Sequence, residues 1–434
     1  MAGEWATSSL TEVSTDISYG YTESAADSPV GPRFLRITDI QGGTVNWNNV
    51  PYCPISQADH SKYRLKGGDI VIARTGNSTG ENYIYNSDED AVYASYLIRF
   101  RVNPSKACPQ YVWYNLRSRR WWGFVNGSKT GSAQAGANAK VLGRFEFLLP
   151  PVPEQKAIAH ILGSLDDKID LNRKMNETLD AMARAIFKSW FVDFDPVRAK
   201  AEGRQPEGMD AETAKLFPDS FVESELGLIP KGWKVGIVGD FTTFHRQSIT
   251  PQSQPNTIFH HYSLPAYDAG KRPELTEGEQ IKSNKYIVPN DAVLISKLNP
   301  HIPRVWFPET SSTAKSISST EFIVATGKNG FTQNTLYLFF TSPHFFAKFA
   351  GMVTGTTGSH QRVKPDSVLA MDAVIPESAT IKRCSTLLSA LFEQILVTRT
   401  TSDSLGKIRD ALLPKLLSGQ IRIRNAKSFL EEIA

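Results

Sequence analysis

The sequence predicts an α+β chain: two similar globular α/β domains joined by two long antiparallel coiled-coil helices, related as a pseudo-two-fold internal repeat. Three observations carry this. From Glu154 to Asp195 there is no proline, and Gly163 is the one glycine. A plan that begins near Trp5 begins again near Trp233. Within each copy, aromatic and β-branched runs bounded by Gly, Pro and Asn turns read as strands.

In the first copy Phe34–Ile37 is a short strand, and Asp69–Arg74 follows the Gly67-Gly68 turn as another. Tyr93–Val102 is a third strand, Gln110–Arg120 a helix, and Phe145–Leu149 a final strand ended by Pro150-Pro151. The long helix comes next. Ile158, Leu165, Leu179 and Ile186 occupy one heptad position, and Ile161, Met175 and Met182 the other. Spacings of three and four place them on one stripe. Leu162, Ile169 and Ala183 widen that face, and Asn172 falls in the seam, where a buried amide fixes register at a cost in stability. At about 1.5 Å per residue the helix is roughly 60 Å long. A helix of that length bridges two bodies more readily than it fits inside one. Its end, Phe187–Asp195, carries Phe187, Trp190, Phe191 and Phe194. These either anchor the helix in a domain core or form a docking surface.

Residues 198–231 are polar and punctuated by Gly and Pro, with a helical patch at Ala211–Phe217, and read as a surface linker. The plan then repeats. Asp69-Ile70-Val71-Ile72 returns as Asp291-Ala292-Val293-Leu294, and Leu148-Leu149-Pro150 as Val374-Ile375-Pro376, an offset of 376 − 150 = 226. A second long helix carries Leu388, Leu391, Ile395, Leu405, Leu412 and Leu416, with Thr398 and Ser402 as a polar middle.

Composition excludes several classes. The chain has 434 residues, 41% hydrophobic and 21% charged, enough for two or three cored domains. No apolar run reaches a membrane span, and Met1–Trp5 does not open a signal peptide. Cys53, Cys108 and Cys384 are unpatterned, which fits a cytoplasmic protein. Net charge is +4, which neither demands nor excludes nucleic acid.

Catalytic motifs are sparse. Gly123 is one residue too close to Gly127 for a phosphate loop, and Ser128 separates that glycine from Lys129. Asp291 and Lys297 match a metal-dependent nuclease only in part. His160 and the His260-His261 pair lack metal-ligand spacing. Both copies instead hold basic and amide side chains in glycine-rich loops. In the first these are Arg74, Asn77, Arg117, Arg119, Arg120 and Lys129. In the second they are Lys271, Lys297, Asn299, Arg304, His360, Gln361, Arg362 and Lys364. Such groups pair with base edges: Arg with guanine, Asn or Gln with adenine. Lys407, Arg409, Lys415, Arg422, Arg424 and Lys427 add a basic C-terminal face.

Several of these stretches are familiar. Leu149-Pro150-Pro151-Val152-Pro153-Glu154-Gln155, Ile161–Ile169, Asn172-Arg173, Asn176–Leu179 and Phe187–Val197 resemble the central conserved region of type I restriction–modification specificity subunits. The second copy lacks the double proline and Glu-Gln at Pro376–Thr380. The resemblance implies target-recognition domains at 1–150 and 232–376, conserved helices at 151–197 and 377–434, and a linker at 198–231. It implies a non-catalytic reader of a bipartite double-stranded DNA target, each domain taking one half. The helices would set half-site spacing and dock two methyltransferase subunits. The rod or docking residues would be Ile158, Leu165, Asn172, Leu179, Ile186, Trp190, Phe191, Phe194, Leu391, Ile395, Leu405 and Leu412. No cofactor of its own is expected; S-adenosylmethionine, ATP and Mg would belong to partner subunits, including an ATP-dependent nuclease subunit. The alternatives are a self-contained nuclease or methyltransferase, and a coiled-coil scaffold that binds only proteins.

Overall fold

The computed structural model describes residues 5–128, 137–309, 314–353 and 361–423. It divides into two compact units. Unit 1 is the chain up to Leu171 together with the chain from Thr401, and unit 2 is Asn172–Thr400.

Unit 1 begins β1 (Ala6–Ser9), β2 (Ser14–Tyr19), β3 (Arg33–Leu35), α1 (Gln57–Tyr63), β4 (Asp69–Ala73), β5 (Asn82–Ile84), β6 (Ala91–Tyr93) and β7 (Leu97–Val102). It continues α2 (Pro109–Asn115), α3 (Arg119–Ser128), α4 (Ala139–Leu142) and β8 (Glu146–Leu149). An antiparallel sheet ordered β2-β7-β4-β5 is its centre. Every residue of β4 is buried, as its unbroken Ile-Val-Ile-Ala run requires. β3 pairs in parallel with β6, and β1 pairs with β8. The expected single strand Tyr93–Val102 is two strands, split at Ala94–Tyr96. The expected helix Gln110–Arg120 breaks as well. Asn82 Nδ2 donates to Leu116 O at 2.9 Å, and Ser118 Oγ accepts from Trp121 N at 3.3 Å to start α3.

After α5 (Val152–Phe191) come α6 (Asp195–Ala201), α7 (Ala211–Lys215), β9 (Phe221–Ser224) and β10 (Gly227–Pro230). The second head follows: β11 (Lys234–Ile237), β12 (Thr242–His245), β13 (Ser248–Ile249), β14 (Ile258–Tyr262), α8 (Leu264–Asp268), β15 (Glu274–Glu277), β16 (Lys285–Ile287), β17 (Val293–Ser296) and β18 (Val305–Trp306). It ends with β19 (Lys315–Ser318), β20 (Phe322–Gly327), α9 (Gln333–Phe340), α10 (Pro343–Gly351), α11 (Pro365–Leu369) and β21 (Asp372–Ile375). α12 (Ser378–Leu417) closes the series.

The repeat is real in three dimensions. The sheet β12-β20-β17-β18 copies β2-β7-β4-β5 strand for strand. β11 pairs with β21 as β1 pairs with β8, and parallel β14–β19 answers β3–β6. The second head adds β13, β15 and β16, which extend that parallel pair to five strands. His260 and His261 lie in β14 of this sheet, with His260 Nδ1 and His261 Nε2 buried.

Burial pushes the His261 imidazole down to about 4, with Lys285 adding to the shift. Between about 4 and the ordinary value of 6.5 the unfolded chain therefore binds more protons than the folded one. The stability contributed by the neutral ring is complete above that value and is lost as pH falls towards 4. A His261→Gln variant is expected to lose acid sensitivity on the order of 1–2 kcal/mol after solvent screening. Thermal midpoints between about pH 7 and pH 4.5 check this, and equal slopes for variant and parent would refute it.

The segment read as a linker is folded. Val197, Phe217 and Ile229 are buried, and Phe217 and Trp190 meet edge-to-face at 5.0 Å. Trp233 lies 5.8 Å from Phe191 and 5.6 Å from Phe194, centroid to centroid. Of the two readings of the aromatic run, anchoring describes its packing. The start of α12 is held by the same segment. Arg383 donates to Asp210 Oδ2 at 2.9 Å and to Thr213 Oγ1 at 2.8 Å, and Thr380 Oγ1 donates to Leu216 O at 3.0 Å.

Unit 1 holds the helices by different contacts. Glu154, almost fully buried, accepts from Arg422 Nε at 2.9 Å and Nη2 at 3.0 Å, and the guanidinium covers Trp5 at 4.6 Å. Gln155 donates to Pro150 O at 2.7 Å and accepts from Cys108 N at 2.8 Å, which fixes the turn into α5. Asp166 accepts from Arg409 Nη1 at 2.6 Å and from Tyr114 Oη at 2.8 Å, tying α2, α5 and α12 together.

The seam differs from expectation in one of its two positions. Ile158, Leu165, Asn172, Leu179 and Ile186 face inward as read. Met175 and Met182 are 37% and 48% exposed, and their place is taken by Leu162, Ile169, Asn176, Ala183 and Trp190, one residue along. On α12 the seam runs Cys384, Leu388, Leu391, Ile395, Thr398, Ser402, Leu405, Arg409, Leu412 and Leu416, with no seam residue exposed. Each of these ten lies 226 residues after its counterpart on α5, as 384 − 158 = 226.

Candidate nucleic-acid interface

In the first head β4 runs directly into the loop 74–80. Gly76 has φ +69° and Gly80 φ +97°. A Cβ on Gly80 would lie 2.9 Å from Val125 Cγ1, so the loop packs on α3 only as glycine. Arg74 Nε donates to Ser95 O at 3.0 Å, and its guanidinium lies 5.1 Å from the Tyr19 ring centre. Asn77 is exposed at the turn. Ala137 N donates to Arg74 O at 2.9 Å, so the chain after α3 returns to this loop. Lys129 lies outside the described residues.

Arg117, Arg119 and Arg120 form a separate group. Arg117 covers Trp113 at 4.7 Å, Arg119 is exposed, and Arg120 Nη2 donates to Glu146 O at 3.4 Å. They sit at the opening of α3, roughly 9 Å along the helix from Val125, where the Arg74 loop packs.

The second head reproduces the first arrangement. β17 runs into Lys297-Leu298-Asn299, where Asn299 takes φ +50° as Gly76 does. Asparagine tolerates that conformation better than other side chains. Leu298 bridges to Arg362, Asn299 N donates to Gln361 O at 2.9 Å, and Val363 N donates to Lys297 O at 3.0 Å. Two loops far apart in sequence therefore meet at the same strand end as in the first head. Arg362 is bidentate on Glu321 at 3.0 and 2.9 Å. That holds the Glu321 carboxyl below its usual range, and the charge of Lys297 adds to it. Lys364 is exposed where it leads into α11. The Asn299 Oδ1 atom is buried with no protein donor among the described residues.

Two candidates stand apart. Arg304 is bidentate on Asp268 at 2.8 and 2.9 Å. Lys271 covers Tyr267 at 5.1 Å, and burial followed by repulsion from Arg399 of α12 lowers its ammonium value. Lys271 thus belongs beside the long helices and not with the Lys297 loop. His360 lies outside the described residues, as do Arg424 and Lys427 of the basic face. Sequence reading missed Tyr19 and Tyr96, which flank Arg74, Tyr96 being 57% exposed. It also missed the carboxylates that hold Arg304 and Arg362. Their partners lie 36 and 41 residues away, beyond any local pattern.

The family model of the type I restriction modification DNA specificity domain matches residues 4–181. Along its length the chain is 25% identical to the HindI type I restriction enzyme specificity subunit of Haemophilus influenzae, over 96% of this chain and 100% of that one. Residues 4–181 are a type I restriction–modification DNA specificity domain, and the chain as a whole resembles the specificity subunits. A second relative, the MjaIX specificity subunit of Methanocaldococcus jannaschii, is 24% identical over 72% of this chain and 69% of its own. The fold matches the crystal structure of the type I restriction–modification S subunit from M. genitalium with a TM-score of 0.57 at 12% identity, covering 95% and 96% of the two chains. Specificity subunits are a non-catalytic family of DNA specificity determinants. In this chain no described helix is long and apolar enough to cross a membrane, and no described group of three His, Cys, Asp or Glu could hold a metal ion.

Proposed function

We propose that each head of this specificity subunit reads one half of a bipartite double-stranded DNA target, and that α5 and α12 act as the ruler between the halves. The observation that carries this reading is the loop pair. In both heads the strand at the sheet centre ends in a basic loop, and a second loop returns to the same place. Arg74 and Asn77 in one head, and Lys297, Asn299, Gln361, Arg362 and Lys364 in the other, supply the donors that base edges and phosphates accept. Arg117, Arg119 and Arg120 lie outside the loop pairs and suit backbone contacts, whereas Arg304 is held by Asp268 and Lys271 sits beside Arg399 of α12. Each good bidentate base contact contributes about 1–3 kcal/mol of discrimination.

The rod docks two methyltransferase subunits, which bring S-adenosylmethionine and flip the target adenine. An ATP- and Mg-dependent nuclease subunit joins for cleavage. The test is co-expression of the chain with its modification subunit, followed by sequencing of methylated positions in host DNA. Exchanging residues 1–150 for another head is expected to change one half-site and leave the other. A change in both halves would sink independent reading. Inserting one heptad into each long helix, in compensated register, is expected to lengthen the spacer, and an unchanged spacer would remove the ruler. Methylation or cleavage by the purified chain alone would favour a self-contained enzyme.

A further inference from the structure

Both seams turn polar near the middle of the helices. Asn172 is 2% exposed, Asn176 is half-buried, and Thr398 is 6% exposed. Thr398 Oγ1 carries one proton, which Asn176 Oδ1 accepts across the pair, with the carbonyls of Gln394 and Ile395 in its own helix as the alternative acceptors. The flanking seam positions in unit 2, namely Leu179, Ala183, Ile186, Leu388, Leu391 and Ile395, are all apolar.

The two partners are not equivalent. A threonine hydroxyl is satisfied by its own helix wherever it sits. The amide oxygen of an asparagine inside a helix finds no free backbone N–H in that helix and needs a donor on the facing one. Apolar seam residues carry no register of their own, because leucine against isoleucine one heptad away packs nearly as well. A one-heptad slip, in contrast, would set Asn176 against Leu391 or Leu405 and leave its amide unpaired.

We propose that the Asn176–Thr398 contact is the register pin of the helix pair, and so a spacer-determining element of this specificity subunit. The proposal rests on the ruler reading above. It assigns a share in the choice of spacer length to two side chains packed between the helices, in addition to the Asp166–Arg409 contact that also ties α5 to α12. The preference for the native register over its neighbour should be on the order of tenfold for each amide a slip would strand.

The test is the double variant Asn176→Leu with Thr398→Val in the full chain, co-expressed with its modification subunit. Methylated sites are expected to spread from one spacer length to at least two. Thermal unfolding should show a midpoint no lower than the parent's, since apolar replacement of a buried polar pair is often stabilising. Register is read independently by disulfide trapping in the purified chain. Cysteines at Leu179 and Ile395 should cross-link efficiently in the parent. In the double variant that yield should fall, while cysteines at Leu179 and Leu388 gain. The exchanged pair, Asn176→Thr with Thr398→Asn, should restore both readouts. A single unchanged spacer with unchanged cross-linking would overturn the pin, even where heptad insertion still moves the spacer. Altered cross-linking with no spacer change would overturn its role in spacing. Failure of the heptad insertion itself would count against the ruler and not against the pin.

Discussion

Replacing Trp190 with alanine is expected to destabilise unit 2 by about 3–5 kcal/mol. The indole is 6% exposed, packs edge-to-face on Phe217 at 5.0 Å, and lies 6.2 Å from Phe191. It holds together three stretches: the end of α5, the folded segment after it, and, by way of Phe191 and Phe217, the start of the second head at Trp233. Alanine would leave a cavity whose walls come from different elements and collapse poorly. Trp190→Phe should recover more than half of the loss, because much of the contact is ring against ring. Urea unfolding measures both. A loss under about 1 kcal/mol for alanine would show that the aromatic end is not an anchor, and would return it to the docking role the sequence also allowed.

Asp69→Ala is expected to cost about 3 kcal/mol or more and to silence one half-site. Asp69 is 1% exposed. Its carboxylate accepts from Arg101 Nε and Nη2, each at 2.7 Å, and from Lys66 N at 2.9 Å. Losing it strands a guanidinium in the sheet that carries Arg74. Replacing both partners with apolar residues, Asp69→Leu with Arg101→Met, should recover a large part of the stability, because the pair offsets its own desolvation and little more. If single and double variants were equally unstable, Asp69 would matter as the cap of the Lys66 turn. In modified host DNA, the single variant should lose specificity in the half read by the first head only.

How much of this was legible depends on what kind of signal each element left. The internal repeat was, because the Asp-Ile-Val-Ile strand, the pre-proline strand and the heptads all recur with apolar content intact. One seam position was legible and the other was not. Met175 and Met182 supply apolar side chains at outward positions, while Asn176 and Ala183 supply weak ones inward. A count of hydrophobic residues therefore chose the wrong neighbour. Residues 198–231 read as linker because their buried side chains, Phe217 and Ile229 among them, are isolated among polar ones and follow no period. The meeting of the Lys297 loop with Gln361–Lys364 left no trace in the sequence, since β-bridges between distant turns depend on backbone alone. The basic character of each loop was legible; which cations sit locked on carboxylates was not.

The clamp of Arg422 on Glu154 joins residues 268 positions apart. Unit 2, in contrast, is one uninterrupted stretch of chain. At about 5–20 residues per second on the ribosome, the first head emerges early and then waits tens of seconds for the last turns of α12. Until then Ile158, Leu162 and the carboxylate of Glu154 lack the cover that Leu416, Leu417 and Arg422 supply. Unit 2 can close before the ribosome has finished, although it starts later. The order of completion thus reverses the order of synthesis, and the first head is the part of the nascent chain most in need of a chaperone.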